Sequence, residues 1–438
     1  MRGFFCVVAC FIACPSIVGC SRSEPVEEIS VDASQPVEPV DEPTFGADDW
    51  PFWRGPARNG IAGTVNVPVT WSETGNILWK APVSGRGHAS PTVLGDRVFL
   101  ATADENEGTQ AVVCFDRQTG RQLWQKTVHK GGLPGSLGNN KSTHASSTVA
   151  VDGTRVFAAF LNGDAIWLTA LDLEGNQLWQ TNAGPFDLSY GYAASPAVYK
   201  SLVIVAADDK NGGFVAALHR KTGKVQWRKS RPAEQSYSSL LVAHVAGKDQ
   251  VLMSGAHLVV SYDPNTGEEL WSRPGTTMSC ASTMNYWGDF VYAASGYPDA
   301  GIVCVRGDGS GEVVWENRRK LYVPSLLIHD GSVYAVNDDG IAYCWNAETG
   351  KNMWTGRLGG NFSASPILAG DHIFVPNERG TVYVFEATPK TLEIVARNRL
   401  GDECMASPVI CGDRIYLRVA SRQGGPRQET LYCIGVRE

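Results

Sequence analysis

The chain has 438 residues and a formal net charge of −7, with 19% charged and 10% aromatic side chains. Length alone would suggest two or three domains. The negative charge is concentrated in one N-terminal stretch, leaving a body close to neutral; this argues against nucleic acid as a partner, since phosphate contacts draw on clustered Lys and Arg.

Residues 1–20 read as a secretory leader, with Arg2 ahead of an apolar run from Phe4 to Val18 that is too short to span a bilayer. The leader ends in Ile17-Val18-Gly19-Cys20, similar to a bacterial lipobox, which makes Cys20 the expected lipidated first residue of the mature protein. Cleavage elsewhere by an ordinary signal peptidase is the alternative. By resemblance to bacterial lipoproteins, Ser21 in place of Asp after that cysteine implies the outer membrane, with the chain facing the periplasm.

Residues 21–49 hold nine acidic side chains against Arg22, together with Pro25, Pro36, Pro39 and Pro43. Self-repulsion and a shortage of apolar surface predict an extended, disordered tether. Residues 50–75 follow as an aromatic segment. Trp50, Phe52 and Trp53 demand burial, and the expectation is that they pack over the outside of the domain beyond.

From residue 76 to 438 one unit recurs. Asp116-Arg117-Gln118-Thr119-Gly120 leads to Trp124, and related turns lead to Trp179, Trp227, Trp271, Trp315 and Trp354. The aspartate can accept the N–H groups of a tight turn, the glycine supplies positive φ, and the indole stands on the next strand to cover a neighbouring sheet. A worn copy runs from Glu386 to Ile394 or Val395.

A second marker keeps the same rhythm, at Ser90, Ser146, Ser195, Ser239, Ser282, Ser325, Ser365 and Ser407, each before a short apolar run. At about 44 residues per unit, four short strands fit between repeats. The expected fold is all-β: an eight-bladed β-propeller of four-stranded antiparallel blades. Its last blade ends without a Trp, and Trp79 stands on a strand lacking the three before it. The N-terminal strand near Trp79 is therefore expected to close the last blade, so that no sheet edge is left open there.

Of 11 cysteines, Cys6, Cys10 and Cys14 go with the leader and Cys20 would be acylated. Cys114, Cys304, Cys344 and Cys433 share one repeat slot with Ala170, Ala217, Ser261 and Val384, as small buried hydrophobes would, and no disulfides are expected among them.

Two residues before the serine markers come His88, His144, Ala193, Tyr237, Cys280, Val323, Ser363 and Met405. Such a ring would sit at the mouth of the central channel, with His88, His144, Tyr237 and Cys280 its notable members. Two histidines without a positioned carboxylate make a weak metal site. The connection from Trp124 to Ser146 is the longest between blades, and loops on a rigid ring commonly carry recognition. Lys126, His129, Lys130, Leu133, Asn139, Asn140 and Lys141 are the candidate partner contacts it offers. Asp104 to Gly108 alternates oxygen ligands like the opening of a calcium loop but lacks the closing bidentate Glu; a hairpin tip is the simpler reading.

The repeated D-x-x-T-G-x-x-x-W unit resembles the tryptophan-docking repeat of pyrroloquinoline-quinone (PQQ) proteins over roughly residues 76 to 434. Two kinds of owner carry it: quinoprotein dehydrogenases with quinone and calcium at the ring axis, and non-enzymatic propellers including the lipoprotein of the outer-membrane β-barrel assembly machinery. The dehydrogenases' vicinal Cys-Cys pair is absent from this sequence, and neither their calcium set nor their Trp floor maps onto matching positions. The resemblance therefore implies a scaffold without PQQ or calcium, a monomeric ring held to the membrane by its lipid alone and binding another envelope protein. A PQQ-dependent oxidoreductase with an altered site is the alternative.

Overall fold

The structure, a computed structural model, describes residues 26–32, 37–63, 65–135, 137–187, 190–423 and 425–436. The leader and Cys20 lie outside the described residues. Eight four-stranded antiparallel sheets are arranged in chain order. Blade 1 is Thr92–Leu94, Arg97–Asp104, Thr109–Asp116 and Gln122–Lys130, from inner to outer strand. Blade 8 takes Val409–Cys411, Arg414–Ser421 and Gln428–Ile434, and its outer strand is Ile77–Val83. Trp79 pairs with Cys433 and Lys80 with Tyr432, so the ring closes as the repeat count requires.

What holds neighbouring blades together is the repeat motif itself. Asp116 accepts the N–H groups of Gln118 and Thr119 at 3.1 and 2.8 Å, and Gly120 has φ of 72°. A side chain at Gly120 would come within 2.4 Å of the Trp79 ring, so here glycine is needed for both conformation and close approach. Six docking indoles lie under the turn of the following blade and donate Nε1–H to it. Trp79 bonds Arg117 O, Trp124 Leu173 O, Trp179 Arg220 O, Trp227 Pro264 O, Trp315 Ala347 O and Trp354 Thr388 O, all between 2.7 and 3.1 Å. Trp271 turns instead to Gln250 Oε1 at 2.8 Å. The small slot pairs sideways with the indole: Cys114 with Trp124, Cys304 with Trp315, Cys344 with Trp354. All seven described cysteines are buried and unbridged.

In the worn blade 7, Ala396, not Ile394 or Val395, occupies the Trp position, opposite Val384. Trp71 from the N-terminal segment brings an indole to the same core cluster and stacks on Phe374 at 6.3 Å.

Two N-terminal expectations are corrected. The acidic stretch is not a free tether across its described parts. Ile29 pairs with Arg228 at the outer strand of blade 3, Glu38 meets Lys221, Val40 N–H reaches Ser201 Oγ, and Asp49 bonds Gly95 N–H. Val26, Val31, Val37 and Phe45 give apolar footholds that an averaged composition conceals, while basic turns receive the acids. Residues 65–71 of the aromatic segment do reach the outer strand of blade 7, where Asn398 holds Val69 and Trp71, but residues 50–62 do not cover the outside of a blade. They cross the axis on the face of the docking turns, bonding inner strands at Val93, Val151, Val198 and Leu368. Only at the axis can Trp50 and Arg54 be covered on all sides, and they are 2% and 1% exposed.

Trp227 is 0% exposed, and Trp227→Ala should cost about 3–5 kcal/mol and lower the thermal midpoint measurably. Leu178→Ala, one residue before a docking indole but 48% exposed, should stay within about 0.5 kcal/mol of wild type in the same calorimetric scan. Equal effects would remove the docking account.

Candidate functional site

Around the axis the inner strands are linked by a belt of hydroxyls. Thr283 N–H bonds Ser325 Oγ, Ser325 N–H bonds Ser365, Ser365 N–H bonds Ser407, and Ser90 Oγ returns to Ser407 O. Onward, Ser90 N–H bonds Thr148 Oγ1, Thr148 N–H bonds Ser195, and Ser195 N–H bonds Ser239. Between blades 4 and 5, Trp53 Nε1–H enters from the N-terminal segment and donates to Thr283 Oγ1 at 2.8 Å.

The belt corrects the register at two blades. Thr148 and Thr283 occupy the places expected for Ser146 and Ser282, since either hydroxyl serves an N–H donor equally. Two residues before the true markers stand Ser146 and Ala281, and these line the axial cavity together with His88, Ala193, Tyr237, Val323, Ser363 and Met405. His144 and Cys280 do not. His144 lies near Glu105 and Arg86, and Cys280 is fully buried, its thiol pushed up to about 12 by that burial.

The cavity is a funnel of about 690 Å³, floored by Trp53 and open on the face opposite the docking turns. Its mouth is built by parts of the repeat that vary: Tyr190 and Tyr237 before inner strands, Tyr297, Asp338 and Glu378 from hairpins. Tyr190 and Tyr237 meet edge-on at 6.1 Å, and Tyr322 Oη lies 3.2 Å from Ser279 Oγ. Asp338 accepts the Tyr322 and Val323 N–H groups at 2.8 and 3.1 Å, while burial raises its carboxyl above the usual range. Burial and the charges of Arg86, Arg418 and Arg427 hold the His88 imidazole well below its ordinary value, hence neutral.

The long connection divides into two parts. Lys126, His129 and Lys130 lie on the outer strand of blade 1, which extends to Lys130. Leu133 follows, half-buried. Beyond it the chain turns inward over the funnel: Arg86 bonds Asn140 O, Asn139 Oδ1 caps Lys141 N–H, and the Lys141 ammonium reaches Glu378 of blade 7 at 2.7 Å. Asn139 and Lys141 thus join His88 and Tyr237 at one mouth, whereas the outer-strand residues stand apart. Asp104 accepts the Asn106 and Glu107 N–H groups, as a hairpin tip would. Among the described residues no group of three or more His, Cys, Asp or Glu stands together as metal ligands would. Sequence reasoning missed Trp53, Asp338 and Glu378; the last two share one signal, an Asn-acid-x-Gly turn capped by Asn337 in blade 6 and Asn377 in blade 7, which could have found them.

The fold and its fastenings define a tryptophan-docked eight-bladed propeller of the PQQ-like repeat class. More particularly, the chain belongs to the family described as outer membrane protein assembly factor BamB, whose model matches residues 60–184, 108–356 and 303–421. It is 24% identical over 324 residues to the outer membrane protein assembly factor BamB of Bordetella pertussis, covering 70% of this chain and 74% of that protein. The dehydrogenase subunit of a quinone alcohol dehydrogenase from Acetobacter aceti is also 24% identical, over 296 residues, but only 34% of its length is spanned. In fold, BamB of Moraxella catarrhalis aligns with a TM-score of 0.60 at 18% identity, covering 81% of this chain and 96% of that one. The quinohemoprotein alcohol dehydrogenase of Comamonas testosteroni aligns at 0.63 and 14% identity, covering 89% and 81%.

His129 is wedged against Phe160 and Trp167, with ring centroids 6.2 and 6.1 Å away, and burial lowers its pKa to about 4. The unfolded chain takes up this proton near 6.5 and the folded chain only near 4, so the stabilisation is complete above the first value and is lost as pH falls through this window. His129→Gln should flatten that part of the profile of thermal midpoint against pH. An unchanged slope would count against a neutral, packed imidazole.

Proposed function

We propose that this chain is a non-enzymatic propeller scaffold of the cell envelope that takes part in outer-membrane protein assembly. Cys20 carries the lipid that tethers it to the outer membrane, on the periplasmic side, and the face bearing the funnel and the 131–141 connection engages an envelope protein. The observation that carries this reading is the match of the assembly-factor family over residues 60–421, the body of the ring. Likeness to the quinone dehydrogenases has a structural account. The repeat motif docks one blade on the next, on the face away from the funnel mouth, so a likeness carried by that motif implies no cofactor.

Deleting the gene should lower the amounts of outer-membrane β-barrel proteins several-fold, and the full-length chain should restore them. Cys20→Ala should lose palmitate labelling and leave the membrane fraction. Replacing residues 131–141 with a short linker should reduce co-purification of envelope proteins. Normal barrel levels in the deletion strain, or a quinone absorbance with dye reduction after adding PQQ and calcium, would overturn the scaffold reading.

A further inference from the structure

We propose that the axial funnel is a binding site for an organic cation, an ammonium or guanidinium group carried on an apolar stem. At about 690 Å³ the funnel has the volume of a small-molecule site, and Trp53 closes its far end. The wall carries three carboxylates, those of Asp338, Asp339 and Glu378, against the basic side chains Lys141 and His88. Lys141 is committed to Glu378 at 2.7 Å, and the His88 imidazole is neutral. Asp338 and Asp339 are thus left without a cation among the lining side chains. Asp338 is held by backbone N–H groups from the segment carrying Tyr322, which sets its charge beside an aromatic wall; Lys320 is the cation that acts on it.

Tyr237 and Tyr322 line the funnel near these carboxylates, Tyr190 and Tyr297 stand exposed at its rim, and ring faces attract cations. An anion would meet the two carboxylates instead. The inference goes beyond the scaffold reading and stands without it, because it uses only the walls of the funnel.

The test is calorimetric titration of the mature full-length chain with benzyltrimethylammonium, arginine amide and, as the matched anion, phenylacetate. Saturable one-site binding of the two cations and none of phenylacetate is expected. Tyr237→Leu and Asp339→Asn, neither of which removes an interblade bond, should each weaken cation binding roughly tenfold with the thermal midpoint unchanged. No saturable binding, equal binding of phenylacetate, or unaltered affinity in both variants would overturn the proposal. If saturating arginine amide releases co-purified envelope proteins, the natural cation is a protein side chain. If it binds and leaves them in place, the natural cation is a small molecule.

Discussion

Eight sheets can share an axis only if the wedge between every adjacent pair is filled to the same width, and the docked indole does that filling. One flat ring of fixed thickness lies under a glycine turn that can approach within van der Waals distance, and one N–H fixes its orientation. Where blade 7 offers Ala396 instead, Trp71 arrives from elsewhere in the chain. Where the turn after blade 4 departs from the motif, Gln250 accepts the Trp271 N–H. An indole fills the wedge in both places, Trp71 in one and a differently bonded Trp271 in the other, which indicates that the spacing, more than the motif, is the requirement.

The axis is governed by a second constraint. Inner strands converge too closely for large side chains, so their hydroxyls and N–H groups satisfy one another around the belt. The chain then plugs one end with its own Trp50, Trp53 and Arg54. A channel that could have been open from face to face becomes a blind funnel. All the variety in its wall comes from hairpins and interblade connections, while the belt below stays nearly uniform.

This division explains what the sequence revealed. Blade number, closure through Trp79 and the small slot beside each indole were legible because seven or eight copies could be laid against one another. The channel ring was legible to within the register of its marker. It failed at His144 and Cys280 because a serine-only marker slid past Thr148 and Thr283. Asp338 and Glu378 were legible as one repeated Asn-acid-x-Gly turn in blades 6 and 7, but a marker built on Ser and Trp did not sample it, and Tyr190 lies in an interblade connection, where no periodicity points to it. The N-terminal stretch misled for another reason: its acids and prolines describe a chain that could not fold alone, but scattered valines and Phe45 suffice to seat it on a surface already built.

Closure by the outer strand of blade 8 also sets an order of events. Ile77–Val83 is synthesised early, yet its partner Gln428–Ile434 comes almost last, so hundreds of residues must be in place before that pairing can form. Until then one strand waits with unpaired backbone groups at each end of the nascent ring, open to unintended strand addition. Ring closure is therefore the last step of folding, and a truncation of even the last dozen residues would leave an unfastened arc with two sticky ends.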